Sequence, residues 1–170
     1  MSRFKHIFFD QEQIQAQVRH LARLITADYA HGPAVELVGL MNGALVFMAD
    51  LIRHLDFELS TQTMRVKSYQ GQLQGDPQMK VDFEPQDKRI LVIDDILDSG
   101  QTYNWVKAEL LKQGAREVKS CILLDKGLAG FEPDYCGFKC PDAWVIGYGM
   151  DLDGKYRNLP FIAELPEEMR

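Results

Sequence analysis

Apolar residues recur near the start of the chain at the spacing of a helix seam. Ile14, Val18, Leu21, Leu24 and Ile25 fall three or four positions apart, which predicts an amphipathic helix over residues 11–30. His31-Gly32-Pro33 ends it. Residues 34–43, "AVELVGLMNG", read as a buried strand ending in Gly43, and residues 44–55 as the helix that follows. "STQTMRVKSYQG", residues 60–71, reads as a second strand. The polar, Gly-containing stretch 70–87 has no strong period and predicts a mobile loop or hairpin.

The clearest strand is "KRILVIDDI", residues 88–96, where Ile90 to Ile93 are continuously apolar, as in a strand covered on both faces. A helix is predicted from Thr102 to Gln113, closed by Gly114. "EVKSCILLDKG" repeats the pattern of strand then polar tip. Residues 142–159 supply one more strand and a loop rich in Gly, Asp and Tyr. Strands alternating with helices predict an α/β fold with a mostly parallel twisted sheet flanked by helices. No linker or repeat interrupts residues 1–170, so one domain is expected. Ligands in such sheets gather at the carboxyl ends of the strands. The unusual polar clusters fall there: Asn42-Gly43, Asp94 to Thr102, Asp125-Lys126 and Asp151 to Arg157.

Bulk composition narrows the function. At 46% hydrophobic and 26% charged residues, the chain reads as a soluble globular protein. The net charge of -6 argues against a nucleic-acid partner, since phosphate binding leaves a basic footprint. No apolar run approaches the roughly 18 residues of a membrane span. The N-terminus shows no cleavage-site pattern, so a cytoplasmic location is expected. Cys121, Cys136 and Cys140 are read as free thiols, because Cys136 and Cys140 have no second pair to complete a tetrahedral metal site.

The stretch "ILVIDDILDSGQTY", residues 90–103, carries the chemistry. Asp94 and Asp95 alone would read as turn acids. Ser99, Gly100, Gln101 and Thr102, however, directly precede a helix, where backbone N–H groups and hydroxyls can surround a phosphate. Two carboxylates would repel that phosphate unless something lies between. Vicinal ribose hydroxyls or a divalent cation fit, so the expected ligand is a phosphorylated sugar with magnesium. Neither G-x-x-x-x-G-K-[ST] nor a strand-borne G-x-G-x-x-G is present, and a phospho-receiver domain has no use for the "DSGQT" loop.

"VIDDILDSGQT" resembles the phosphoribosyl-pyrophosphate signature of the type I phosphoribosyltransferases, and most closely their hypoxanthine-guanine branch. "LVGLMNGALVFMADLIRHL" resembles that branch's pyrophosphate loop and helix, and "VKSYQG" its flap. "LLDKG" resembles its purine-reading lysine segment, and "PDAWVIGYGMDLDGKYRNLPFI" its C-terminal base- and pyrophosphate-binding segment. The matches run in order from about residue 37 to 162.

The resemblance implies the type I phosphoribosyltransferase fold, with a small hood formed by terminal segments. It implies transfer of a 5-phosphoribosyl group from phosphoribosyl pyrophosphate to N9 of hypoxanthine or guanine, giving IMP or GMP and pyrophosphate in purine salvage. Asp98 would be the general base. Asp94, Asp95, Asp98, Ser99, Gly100, Gln101 and Thr102 would bind the phosphoribosyl group. Asn42, Gly43 and Arg157 would bind pyrophosphate, and Lys126, Trp144, Val145 and Asp151 the purine. Ser68 and Tyr69 would sit on the flap, Asp94 and Asp95 would meet Mg2+, and Asp151 would lie near a second Mg2+. A homodimer or homotetramer is expected.

Two positions depart from the resemblance: Asn42 stands where a lysine is frequent and Gln101 where a basic residue is frequent, which implies weaker phosphoribosyl pyrophosphate binding. Competing readings are a regulatory relative that binds RNA, disfavoured by the acidic charge, and an adenine- or xanthine-preferring transferase. Lys126 disfavours adenine, because an amino group cannot accept its hydrogen bond.

Overall fold

A computed structural model describes Phe4 and residues 6–66 and 82–169. The expected flap residues Ser68 and Tyr69, and most of the expected loop, lie outside the described residues.

Five parallel strands form the main sheet: β2 (Val35–Leu40), β3 (Leu59–Met64), β4 (Arg89–Leu97), β5 (Glu117–Asp125) and β6 (Tyr135–Lys139). Their order is β3-β2-β4-β5-β6, which puts β4 at the centre. Strand residues alternate between faces, so the apolar run of β4 feeds both sides. Leu91 and Ile93 pack with α1 (Gln11–Tyr29) and α2 (Leu45–Ile52). Ile90 and Val92 pack with Tyr103, Val106 and Leu110 of α3 (Gln101–Lys112). All four β4 residues are fully buried, each contributing roughly 1.5–3 kcal/mol.

The helix seam of α1 is mostly as predicted: Ile14, Val18, Leu21 and Ile25 are buried, while Leu24 falls off the stripe and is exposed. Asp10 starts the helix with a capping box, its side chain accepting from the Gln13 N–H while Gln13 reaches back to the Asp10 N–H. At the end of α3, Gly114 adopts φ +89°. Its N–H donates to the Leu111 carbonyl and that of Ala115 to Leu110, a Schellman closure.

A second, three-stranded antiparallel sheet joins the two ends of the described chain. It has the order β1 (Ile7–Phe9), β8 (Ile162–Glu164), β7 (Val145–Ile146). The strand expected within residues 142–159 is therefore a two-residue piece of this hood. β1, β6 and β8 were not anticipated, because each is short and two of them pair only with residues far away in sequence. Phe4, Ile146, Ala163 and Leu165 form the hood's own apolar cluster. Asp50 of α2 ties hood to core: Oδ2 accepts from the Tyr148 hydroxyl at 2.7 Å and from Gln15 Nε2 at 2.6 Å.

At the opposite end of the sheet from the polar loops, Glu36 of β2 is 4% exposed and Lys88 Nζ donates to its Oε2 at 2.8 Å. Burial alone would raise the Glu36 pKa, but hydrogen bonding and charge, chiefly from Lys88, lower it instead. A lowered folded-state pKa stabilises the fold above the ordinary carboxylate range, and that contribution fades as pH falls through the folded value. Lys88→Met is expected to destabilise the protein by about 1–2 kcal/mol at neutral pH, below the range for fully buried pairs because Lys88 is partly exposed. Urea unfolding at neutral and acidic pH tests this, and the gap from wild type should shrink on acidification.

Candidate active site

The carboxyl ends of β2, β4 and β5 open on the same side of the sheet, and the polar loops meet there. β4 runs on to Leu97, so Asp94 and Asp95 lie within the strand rather than after it. Each folds its side chain back onto the next amide: Asp95 N–H donates to Asp94 Oδ1 and Ile96 N–H to Asp95 Oδ1, both at 3.0 Å. Burial raises the Asp94 pKa well above the ordinary aspartate value, and the charge of Asp95 raises it further. Burial raises Asp95 too, opposed by its hydrogen bonds and by the charge of Arg157. A cation between the two carboxylates would relieve both effects.

Gly43 faces this pair directly. A Cβ built there would run into the Asp95 carboxylate, so only a glycine lets the loop after β2 lie against it. Gly149 in turn lies against the Gly43 carbonyl, and a Cβ there would strike it. Arg157 closes the assembly: Nη1 donates to the Gly149 carbonyl at 2.5 Å, and Nη2 pairs with Asp151 Oδ1 at 2.7 Å. Asn42 is exposed, and its Oδ1 accepts from Arg65 Nη2 at 3.1 Å. Arg65 follows β3 and was missed in the sequence, where it sits 23 residues from its partner. It sets a guanidinium beside the loop where the chain lacks the frequent lysine.

After β4 the chain turns through Asp98 and Ser99 into α3. Gly100 takes φ +74° at the helix N-cap, and no side chain caps this end. A cavity of about 500 Å³ lies here, lined by Gly43, Asp94, Asp95, Asp98 and the whole of Ser99 to Thr102. The open helix end presents N–H groups and a positive dipole, as an anion site requires. Asp98 does not cap α3, so the plain role of a helix-start acid does not hold. Its carboxylate points to Lys126, whose Nζ lies 3.4 Å from Oδ2.

Lys126 stands just beyond β5, held by its surroundings. Its N–H donates to the Leu97 carbonyl. The buried Asp125 pairs with Lys139 at 2.6 Å and accepts from the Gly127 N–H, shaping the turn. The Lys126 side chain is 10% exposed and also pairs with Asp142 Oδ1 at 3.0 Å. Burial would lower its pKa, but the Asp142 and Asp98 carboxylates raise it, so the ammonium stays charged. A second cavity of about 210 Å³ is lined by Asp98, Lys126, Trp144, Val145, Met150 and Asp151, and it shares Asp95, Ile96 and Asp98 with the first. Trp144 is 68% exposed, which excludes the core role open to any tryptophan.

The family model of the phosphoribosyl transferase domain matches residues 7–153. A hypoxanthine-guanine phosphoribosyltransferase of Bacillus subtilis is 36% identical over 94% of this chain and 92% of its own length. One from Staphylococcus epidermidis is 37% identical over 97% of this chain and 96% of its own. The crystal structure of a hypoxanthine phosphoribosyltransferase from Staphylococcus aureus superposes with a TM-score of 0.90 at 35% identity, covering 97% of this chain and 93% of that one. The chain belongs to the phosphoribosyltransferase family. Within that family its relatives are the hypoxanthine-guanine enzymes, and it is a phosphoribosyltransferase of that branch.

Because Gly43 and the Asp95 carboxylate are in contact, Gly43→Ala must displace one of them. Transferase activity (kcat/KM) is expected to fall by about 10²-fold, the scale of a small misplacement at a reacting centre. Thermal unfolding should change little. Wild-type activity in a folded variant would show that the loop yields without consequence.

Proposed function

We propose that this chain carries out the salvage of 6-oxopurines, moving the 5-phosphoribosyl group of phosphoribosyl pyrophosphate to N9 of hypoxanthine or guanine and releasing pyrophosphate. The observation that carries this reading is the pair of adjoining cavities that share Asp98. One has the open helix end suited to a phosphate, and the other has a lysine and an exposed indole suited to an oxopurine.

In this reading the 5-phosphate sits on Ser99, Gly100, Gln101 and Thr102 at the head of α3. Asp94 and Asp95 face the ribose hydroxyls and stabilise positive charge that develops on the sugar as the bond to pyrophosphate breaks. Gly43 brings backbone close to the leaving pyrophosphate, and Arg157 supplies the cation, swinging from or sharing its contact with Asp151. Asn42 adds a neutral donor, and Arg65 beside it makes up for the charge that a lysine would bring. Trp144 stacks on the purine, the Val145 and Asp151 carbonyls meet its edge, and Lys126 donates to O6. Asp98, at the junction of the cavities, takes the N7 proton. Ser68 and Tyr69 belong to a flap over the centre.

The donor set suits magnesium. Asp94 and Asp95, whose burial raises both pKa values, would hold one ion, and Asp151 would lie near a second. Among the described residues no group of three His, Cys, Asp or Glu side chains could hold a metal alone, which fits an ion completed by substrate oxygens and water. Mg2+ bound there would offset the charge of the departing pyrophosphate. A homodimer or homotetramer and a cytoplasmic location go with this reading. Among the described residues no helix is long and apolar enough to cross a membrane.

Incubation with phosphoribosyl pyrophosphate, magnesium and each purine base tests the function. IMP and GMP are the expected products, without AMP; exclusive use of adenine would overturn the reading. Asp98→Asn is expected to fold normally and bind both substrates while kcat drops by about 10²-fold, the cost of a lost general base. Near-normal turnover would remove Asp98 from that role.

A further inference from the structure

Lys126 meets two acids, and the shorter contact is with the one that lies outside the signature stretch. Asp142 Oδ1 is 3.0 Å from Nζ, against 3.4 Å for Asp98 Oδ2. Asp142 sits in the turn between β6 and β7, closed by the Ala143 N–H donating to the Pro141 carbonyl at 2.8 Å. It stands two residues before Trp144 and three before Val145, both of which line the smaller cavity.

Stability does not account for this pairing. The Asp142 side chain is 67% exposed, and an ion pair with one partner so open is worth little to the fold. Position accounts for it better. An ammonium has three N–H donors: one is spent on Asp142 and one on Asp98, which leaves one for the cavity that Lys126 lines. Without Asp142, the Asp98 carboxylate is the one acid among the described residues left paired with the ammonium. The ammonium would then be drawn toward Asp98 and from the edge of the base.

We propose that Asp142 is a positioning residue for the transferase reaction: it shares the Lys126 ammonium with Asp98 and so holds it at the edge of the base cavity. The lysine then reads the exocyclic oxygen. This rests on the roles given to Lys126 and Asp98 above. The acid acts through the lysine, so its effect should vanish when the lysine is gone.

Steady-state kinetics with hypoxanthine, guanine and adenine on Asp142→Asn, Asp142→Glu, Lys126→Ala and the Asp142→Asn/Lys126→Ala double variant tests this. Asp142→Asn is expected to raise the oxopurine KM about 5- to 10-fold, as loss of a charge-assisted contact does, with a smaller fall in kcat. The KM for phosphoribosyl pyrophosphate and the unfolding temperature should not move. Asp142→Glu should restore most of the loss. In the Lys126→Ala background, itself poor with oxopurines, Asp142→Asn should cost nothing more. Wild-type constants for Asp142→Asn, or an equal penalty with and without Lys126, would overturn the proposal alone. Unaltered oxopurine preference in Lys126→Ala would overturn the lysine reading and this proposal with it.

Discussion

The contact between the Gly43 backbone and the Asp95 carboxylate organises the functional end of this molecule. It fixes how near the loop after β2 can come to β4, and Gly149 fits against Gly43 in turn. Arg157 then reaches the Gly149 carbonyl and Asp151. Three segments distant in sequence are thus brought together by positions where a side chain would not fit. Beneath them, the fully buried run of β4 gives the acids a fixed base, since both faces of that strand are covered by helices.

The order of strands does the rest. With β4 central, its carboxyl end is flanked by the ends of β2 and β5, so the Asn42-Gly43 loop lies on one side and Lys126 on the other. The two cavities follow from this arrangement and meet where β4 ends, at Asp95, Ile96 and Asp98. The hood contributes the remaining wall through Trp144 and Val145. Its orientation depends on Tyr148, whose hydroxyl anchors to Asp50 of α2.

Much of this was legible in the chain. The β4 run, the open start of α3 and the acids between them are local patterns, governed by period and by helix-end chemistry, and local patterns survive into the fold. The hood was expected through the family resemblance and not from local pattern. β1, β7 and β8 are two or three residues each, and their pairing joins the described chain's two ends, which no window of sequence reveals. Arg65 and Asp142 escaped notice for a related reason: an arginine after a strand and an aspartate in a turn are ordinary until their partners, Asn42 and Lys126, are seen beside them. Leu24 is a smaller lesson, a residue at nearly the right angle for the helix seam that faces water instead.

Lys126 is enclosed while Asp98 and Arg65, which stands beside the Asn42-Gly43 loop, are open, and the two kinds of charge respond differently to ionic strength. Dissolved ions screen charges they can surround, over about 10 Å at 0.1 M salt, and reach enclosed ones far less. Arg65 and Asp98 are exposed, whereas the Lys126 side chain is 10% exposed. The adjoining Trp144 offers a neutral face, on which salt has little hold. On the proposed reading, added salt bears mainly on the phosphate-carrying partner and leaves the choice among bases nearly untouched, so capture strength and selectivity can vary independently with the medium.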